Sequence, residues 1–412
     1  MKRIILKFLK YSMSFLLALI ITLNLFILLS GKFYMYKGIA NTYLIGNTGP
    51  TIYDLHLSPY SIVQSAKVPL KNLKSGLFNQ FKLPPKYSAL IEEFETKAFL
   101  VLKDDTIIYE NYWGGHTEET VSNSFSVAKT LVAILVGIAI EDGYIKSLDD
   151  AVSLYLKGFS GEGKREITIR HLLAMASGLD WEESGKNPFS DNAESYYGSD
   201  LRRLVLGQSM EKMPGKSFNY QSGNSQLLGY ILEAATGTDL SEYAESKVWQ
   251  KIGAEHDAYW SLDKEFGDEK AFCCMYATAR DYAKLGQLLS NKGLLNDEQI
   301  IPSWYYDEMV TPQDLLTKDG ISNYRYGLHT WTYLDPQGQV NYCRGISGQY
   351  VITIPSENLV IIRLGSKKTP LVRISKEKLQ DTDYIEKIKF QVGHSYGLFE
   401  YIALGKLISS EG

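Results

Sequence analysis

The sequence predicts an α+β protein whose antiparallel sheet is built from both ends of the chain, flanked by helices and interrupted by an inserted helical subdomain. Two alternating apolar runs, Ala98–Lys103 and Thr106–Tyr112, are separated only by Asp104-Asp105, which is typical of a β-hairpin. The middle of the chain, from 127 to 289, carries helical patterns. Strand-like runs return only between 326 and 364, so the two strand groups must meet across the helical insert.

Composition limits the kind of protein. The 412 residues are 45% hydrophobic and 22% charged, which are globular proportions and suit one large domain or two interlocked subdomains. The 43 Lys and Arg residues are outnumbered by 47 Asp and Glu residues, for a formal net charge of −4. This balance gives no electrostatic support for a nucleic-acid partner.

The amino terminus predicts a membrane segment. Four basic residues precede residue 11, residues 11–31 are uncharged, and Tyr11–Ser30 as a helix would span about 30 Å, the thickness of a bilayer core. The positive-inside tendency places the first residues in the cytoplasm and the rest outside, as a single-pass protein of the cell membrane. A cleaved signal sequence is the alternative. The predicted divisions are 1–10, a basic cytoplasmic end; 11–31, an anchor or signal sequence; 32–85, a stalk and lead-in; and 86–412, the main domain.

Apolar periodicity and turn residues predict the remaining elements. The predicted helices are Tyr87–Lys97, Val127–Ile140, Thr168–Ala176, Leu201–Gly207, Ser225–Ala235, Leu240–Ile252, Thr278–Leu289 and one within Asp383–Leu407. The predicted later strands are Tyr326–Tyr333, Val340–Arg344, Tyr350–Ile354 and Leu359–Leu364. Val127–Ile140 is apolar nearly all round, so we expect it to be a buried helix.

Cysteine and histidine usage gives little support for cross-links or metals. Because adjacent cysteines rarely bridge each other, we expect Cys273, Cys274 and Cys343 to be three small buried thiols, with a long-range disulfide to Cys343 as the alternative. The six His residues show neither HxxxH nor HExxH spacing, and no CxxC pair exists. The sequence therefore predicts no metal and no cofactor.

One nucleophile pattern remains, Ser-x-x-Lys, and it occurs four times, beginning at Ser126, Ser209, Ser261 and Ser375. Only the copy from Ser126 to Lys129 opens an apolar helix, and a three-residue spacing places both side chains on one helical face. Burial disfavours the charged form of an amine, and a neutral lysine can activate a serine hydroxyl. The alternative is that Ser126 caps the helix while Lys129 extends to the surface.

Two further segments carry small and polar residues where the chain could approach a substrate. Tyr220 lies in a turn of Ser, Gly and Asn residues before a predicted helix, and so could present its hydroxyl at a cleft. Gly345 to Gln349 precede the strand Tyr350–Ile354 with two glycines, which would leave backbone N–H groups accessible. Each segment alone is also compatible with a packed tyrosine or an ordinary turn.

Taken together and in this order, these residues resemble the serine β-lactamase and penicillin-binding superfamily, in particular its class C-like branch. The resemblance runs from about Ala98 to about Leu364 and includes the phrase Ile167–Leu179 and Pro214-Gly215 ahead of Tyr220. Within the branch the sequence is most similar to 6-aminohexanoate-oligomer hydrolases. The cues are Tyr220-x-Ser222-Gly223, the run Gly253–Ser261, Ala277–Asp281, and Gly345-Ile346-x-Gly348-Gln349.

The resemblance implies a β-lactamase/transpeptidase-like fold and a serine hydrolase acting through an acyl-enzyme. It assigns Ser126 as nucleophile, Lys129 and Tyr220 as proton carriers, and the backbone N–H groups of Ser126 and Ile346 as an oxyanion hole. Its substrate-pocket candidates are Ser222, Gly345, Tyr196 and Tyr197. The partner it implies is a small amide or ester, while the oligomeric state stays open.

One departure from the superfamily affects the substrate. Many members carry Lys or His in a Lys/His-x-Gly motif, but the first two positions here are Cys343 and Arg344. This favours an amidase or esterase over a β-lactamase or D-Ala-D-Ala carboxypeptidase, and an acylating sensor that scarcely turns over is a third reading. The polar segment 182–199, here termed the lid segment, is either a lid that sets specificity or a plain surface loop.

Overall fold

The computed structural model describes residues 2–161, 163–335 and 338–411. The α-helices in these residues are α1 Lys2–Ser30, α2 Tyr34–Ala40, α3 Pro85–Glu93, α4 Ala128–Glu141, α5 Ile169–Leu173, α6 Asp191–Tyr197, α7 Leu201–Leu206, α8 Ser222–Thr236, α9 Leu240–Ala244, α10 Ala279–Ser290, α11 Ser303–Val310, α12 Thr382–Ile388 and α13 Tyr396–Glu411. A π-helical turn, Glu245–Trp249, continues α9.

Within the described residues the strands form one large sheet and two smaller ones. They are β1 Tyr60–Val63, β2 Leu73–Lys74, β3 Thr96–Lys103, β4 Thr106–Tyr112, β5 Ser122–Asn123, β6 Ala258–Ser261, β7 Met275–Ala277, β8 Leu294–Leu295, β9 Glu298–Gln299, β10 Trp331–Asp335, β11 Gly338–Gly345, β12 Gln349–Ile354 and β13 Leu359–Gly365. The large sheet has seven strands in the order β10-β11-β12-β13-β3-β4-β2.

This sheet confirms the predicted α+β fold. The hairpin β3–β4 lies beside β13, with Val101 opposite Ile361, so strands from both ends of the chain pair directly. All its pairings are antiparallel except that of β2 with β4. The helical insert therefore returns the chain to the same sheet that it left.

Helices cover both faces of the large sheet. Because neighbouring strand residues point to opposite faces, Val360 and Ile362 share one buried cluster with Leu288 of α10, while Ile361 shares another with Leu404 of α13. The first cluster continues into α4 and α8, whose apolar residues pack against each other. The buried helix α4 is thereby held between the sheet and the rest of the insert.

Several predicted bounds differ from the structure. Helix α8 begins at Ser222, three residues before the predicted Ser225, and β10 begins at Trp331 although the prediction began at Tyr326. The predicted last helix is two helices, α12 and α13, separated by a turn that includes Gly393 with a φ of 84°. Glycine adopts a positive φ without steric cost, so the chain between the two helices can leave the helical conformation at this position.

The prediction of three free thiols was wrong for two of the cysteines. Cys273 and Cys274 form a disulfide between adjacent residues, whereas Cys343 is free and buried, as expected. Cys274 has a φ of 67°, a backbone conformation that is uncommon for residues other than glycine and that the sequence pattern does not predict here. The local backbone just before β7 therefore decides this pairing.

The amino-terminal region contacts the main domain. Helix α1 includes a stretch, Arg3–Ser30, that is long and apolar enough to cross a membrane, a property that signal sequences share. Further along, β1 pairs with β6, and β2 pairs with β4. Parts of the predicted lead-in 32–85 thus add strands to two sheets.

Candidate active site

Ser126 lies in a short 3₁₀ turn, Phe125–Val127, that leads directly into α4. Phe125 has a φ of 47°, and its N–H donates to the side-chain oxygen of Asn123 over 2.8 Å, which fixes the sharp entry into the helix. Lys129 follows in the first turn of α4, and its Nζ lies 3.0 Å from Ser126 Oγ. The expected pairing of hydroxyl and amine on one helical face is therefore present.

Lys129 is buried in surroundings that favour its neutral form. Its side chain is 1% exposed, and its other two hydrogen-bond acceptors are Ser222 Oγ at 3.1 Å and the Phe272 carbonyl at 2.7 Å. Burial lowers the pKa of Lys129 to about 8, although the nearby Glu183 carboxylate acts in the opposite direction. About a tenth of this amine is therefore neutral at pH 7, a far larger share than for an exposed lysine.

Tyr220 joins this pair from the turn before α8. Lys129 Nζ lies 5.2 Å from the centre of the Tyr220 ring, and the Tyr220 ring lines the same cavity as Ser126. Burial and the Glu183 charge raise the pKa of Tyr220 far above its usual value, so its phenol is protonated at neutral pH. Trp331 stacks on the ring at 5.7 Å and holds its orientation.

The turn between β11 and β12 forms a third side of the site. A Cβ atom at Gly345 would lie 2.2 Å from the Ser124 carbonyl oxygen, so only glycine lets β11 approach the turn that carries Ser126 so closely. Ile346 follows, partly exposed, and lines the same cavity as Ser126. The sequence-distant segments that hold Ser126, Tyr220 and Gly345 thus meet at one cavity.

Glu183 is a site residue that the sequence analysis missed. Its carboxylate accepts from the Ser222 N–H and hydroxyl, both at 2.7 Å, and from the Trp181 indole at 2.8 Å. Since Ser222 also accepts from Lys129, a chain of hydrogen bonds joins this carboxylate to the amine. The only signal in the sequence was an acidic residue in the lid segment, which does not distinguish it from its exposed neighbour Glu182.

The cavity has a volume of about 630 Å³, and the lid segment forms part of its wall. The lid segment is not a plain loop, because it contains α6, whose first turn is capped by Ser190 accepting from the Ala193 N–H at 3.1 Å. Tyr196 and Tyr197 project from α6 into the cavity wall with their rings 4.9 Å apart.

Arg344 supplies a cation to the wall of the cavity. Its guanidinium lies 3.7 Å from the centre of Trp331 and donates to the Gly393 carbonyl at 3.0 Å. Arg344 lines the cavity, so the departure from the superfamily motif at this position still leaves a positive charge beside Tyr220 and Trp331.

The sheet covered by helices on both faces, with a Ser-x-x-Lys turn entering a buried helix, defines a class of serine hydrolases. In agreement, residues 89–382 match the family model described as Beta-lactamase, and the chain belongs to this family. The result confirms the recognition made from the motifs and places the chain in a superfamily of enzymes.

Individual relatives are distant. The 6-aminohexanoate-dimer hydrolase of Paenarthrobacter ureafaciens is 25% identical over 308 residues, covering 70% of this chain and 77% of the relative. A candidate D-alanyl-D-alanine carboxypeptidase of Escherichia coli O157:H7 is 23% identical over 192 residues, 40% of this chain and 44% of that protein. A solved structure from Bacillus anthracis, a candidate 6-aminohexanoate-dimer hydrolase, shares the fold with a TM-score of 0.69 at 24% identity, covering 82% and 92% of the two chains.

Proposed function

We propose that this protein is a membrane-anchored serine hydrolase that cleaves an amide or ester bond through a Ser126 acyl-enzyme. The observation that carries the proposal is the 3.0 Å contact between Ser126 Oγ and the buried Nζ of Lys129. A hydroxyl needs a base to become a nucleophile at neutral pH, and a desolvated amine with a pKa of about 8 is suited to that task.

The proposed reaction has two halves. The Ser126 hydroxyl attacks the carbonyl carbon while Lys129, assisted by Tyr220, accepts its proton. The oxyanion is bound by the N–H groups of Ser126 and Ile346, each of which is worth about 3 kcal/mol of barrier in comparable enzymes. The proton then passes to the leaving amine or alcohol as its bond to the carbonyl breaks. Water hydrolyses the acyl-enzyme: the Tyr220 hydroxyl relays the proton of the water to neutral Lys129, which returns it to Ser126 Oγ as the acyl bond breaks.

The proposed substrate class is a small amide or ester, similar to the oligomers that 6-aminohexanoate hydrolases are named for. The likeness to a candidate D-alanyl-D-alanine carboxypeptidase, together with Arg344 in the cavity wall, supports the peptidase or β-lactamase alternative. A panel of 6-aminohexanoate dimer, p-nitrophenyl acetate, nitrocefin and a D-Ala-D-Ala peptide separates these activities. A stable acyl-protein with one equivalent of released product would instead indicate a sensor.

We infer that α1 is the anchor and that the main domain lies outside the cytoplasm. The length and composition of Arg3–Ser30 support a membrane span, and the basic residues before it favour a cytoplasmic amino terminus. Retention of the protein in membranes after an alkaline carbonate wash tests the anchor. Release of a chain that starts after residue 30 would show a cleaved signal sequence.

Labelling with a fluorophosphonate tests the nucleophile. The full-length protein in detergent should react with one equivalent of the probe, and the Ser126→Ala variant should not. Ser209→Ala is the matched control, because Ser209 begins a Ser-x-x-Lys motif outside the site and its loss should leave labelling intact. Equal labelling of Ser126→Ala would exclude Ser126 as the nucleophile.

A further inference from the structure

The last turns of α1 pack against the lid segment. Ile27 is 0% exposed and forms a buried cluster with Tyr34 and Met35, against which Ala193 and Tyr197 of α6 pack. The carboxyl end of the proposed anchor therefore packs against the lid segment, which forms one wall of the active-site cavity.

Two specific contacts extend this packing. The rings of Phe26 and Phe189 meet edge to face with their centres 5.4 Å apart. The Tyr34 hydroxyl donates to the Pro188 carbonyl over 2.9 Å. Both contacts join the end of α1 or the start of α2 to the lid segment, so the position of the membrane end of the chain is fixed relative to the cavity.

Residues 31–50, here termed the juxtamembrane wall, line the same cavity as Ser126. Met35, Ile39 and Tyr43 face it from α2 and the following turn, and Pro50 faces it from the end of the segment. One side of the route to Ser126 is thus an apolar surface that starts where the proposed membrane span ends.

The outer side of the juxtamembrane wall is also apolar. Leu44 and Ile45, which follow the cavity-lining Tyr43, are 75% and 56% exposed. Phe33, close to them in the chain, and Phe189 of the lid segment are also exposed. Aromatic and aliphatic side chains directly after a membrane span are typical of the bilayer interface, whereas an exposed apolar patch on a surface in water is unfavourable. The charge-free turn 43–45 therefore fits a lipid surface.

We propose that the active site opens at the membrane surface and takes amphiphilic esters or amides, whose apolar chain lies along the juxtamembrane wall while the scissile carbonyl reaches Ser126. This inference rests on the proposed hydrolase and anchor and adds the substrate class. The reaction is unchanged: Ser126 Oγ forms a bond to the carbonyl carbon, the bond to the leaving oxygen or nitrogen breaks, and water releases the acid.

Chain-length selectivity tests the proposal on the full-length protein in phosphatidylcholine vesicles. The ratio of kcat/KM for p-nitrophenyl dodecanoate to that for p-nitrophenyl acetate measures the preference for a long chain on the acyl side. The ratio of kcat/KM for dodecyl acetate to that for ethyl acetate measures the same preference on the side of the leaving group. At least one ratio should exceed unity by about tenfold, as expected when several methylenes leave water. Ile39→Trp, which fills the wall, and Ile39→Asp, which charges it, should each lower that ratio about tenfold.

Leu294→Trp is the control, because Leu294 lies near the end of the large sheet that is opposite Gly345. Leu294 is close to Asn291, whose side chain contacts Asp105 at that end of the sheet. It should leave both ratios unchanged. Hydrolysis of short esters with no chain preference, or ratios that neither Ile39 variant alters, would overturn the amphiphile proposal and leave the hydrolase intact. A wild-type protein that hydrolyses neither these esters nor any amide of the panel above would overturn the proposed function itself.

Fluorescence quenching tests the membrane placement independently of activity. In vesicles of dibrominated phosphatidylcholine, the tryptophan added by Leu44→Trp should be quenched, whereas that added by Leu294→Trp should keep its emission. Each is measured as the difference from the wild-type protein, which has six tryptophans. Unquenched emission from position 44 would show that the juxtamembrane wall faces water and would overturn the proposal.

Discussion

The Lys129 amine owes its chemistry to acceptors that carry no charge. Two serine hydroxyls and one backbone carbonyl accept hydrogen bonds from its Nζ. Burial therefore lowers the pKa of Lys129, and this effect is opposed by the charge of Glu183, which lies one residue further along the hydrogen-bond chain. A direct carboxylate partner would hold the amine protonated and remove it as a base. At the residue scale, the separation of Glu183 from Lys129 by Ser222 therefore matters for the proposed reaction.

The pH dependence of activity should report this amine. Lys129 acts as a base only when neutral, so kcat/KM on p-nitrophenyl acetate should fall as the pH drops through about 8 and level off above it. Lys129→Ala should lower activity by about a hundredfold or more, the usual cost of losing a general base. Undiminished turnover by that variant would remove Lys129 from the mechanism.

Replacing the Glu183 carboxylate should move the pH dependence of kcat/KM to lower pH. Because the Glu183 charge raises the pKa of Lys129, Glu183→Gln should shift the acidic limb to lower pH and leave a larger neutral fraction at pH 7. Glu182→Gln, at the exposed neighbour, should leave the limb in place. An acidic limb that stays in place or moves to higher pH in Glu183→Gln would show that the Glu183 charge does not raise the pKa of Lys129.

At the element scale, the site depends on how closely β11 approaches the turn before α4. The end of β11 pairs Gly345 with Gln349 in β12, and the turn between these strands holds Ile346 beside the cavity. Ser124 on the other side is fixed by its N–H bond to the Met275 carbonyl. Neither Gly345 nor Ser124 can move away from the other without breaking one of these backbone hydrogen-bond pairings.

Gly345→Ala should therefore damage activity and stability together. The new Cβ would lie 2.2 Å from the Ser124 carbonyl oxygen, and overpacking of this kind costs about 1–3 kcal/mol. We expect kcat on p-nitrophenyl acetate to fall about tenfold or more, since the proposed oxyanion donor Ile346 would move. Gly76→Ala, where the added atom meets open space, should change neither kcat nor the urea midpoint. Wild-type activity in Gly345→Ala would show that this approach is not needed.

At the scale of the whole molecule, a buried ion pair connects the large sheet to α10. Arg280 donates through Nε and Nη2 to the Glu110 carboxylate at 2.7 Å and 2.9 Å, and Tyr112 donates to it at 2.6 Å. Burial alone would raise the pKa of Glu110, but these hydrogen bonds lower it below the usual 4.5. Its contribution to stability is therefore complete above pH 4.5 and is lost as the pH falls through the lowered value.

Glu110→Gln should reveal this contribution in urea unfolding followed by tryptophan fluorescence. At pH 7 we expect a loss of about 3 kcal/mol, because Arg280 keeps its charge in a largely buried place. The difference from wild type should shrink as the pH falls below 4.5. Glu118→Gln, which removes an exposed partner of Arg280, should cost less than about 1 kcal/mol. A constant difference at all pH values would mean that the Glu110 charge is not responsible.

Features encoded by neighbouring residues were predictable. The alternation of 98–112 specified the hairpin, and the three-residue spacing from Ser126 to Lys129 specified their contact, because helices and strands repeat over a few residues. Element ends were less predictable: α8 begins early at Ser222, because tertiary contacts of Ser222 with Glu183 and Lys129 extend its first turn.

The sequence by itself determined the order of strands and helices along the main domain, the contact of Ser126 with Lys129, and the apolar first helix. Only the tertiary structure decided that Glu183 reaches Ser222, that Cys273 pairs with Cys274, and that residues 31–50 share a cavity with Ser126. The physical reason is distance along the chain. Local patterns carry the conformational preferences of adjacent residues, whereas contacts between remote segments follow from how their side chains pack in three dimensions.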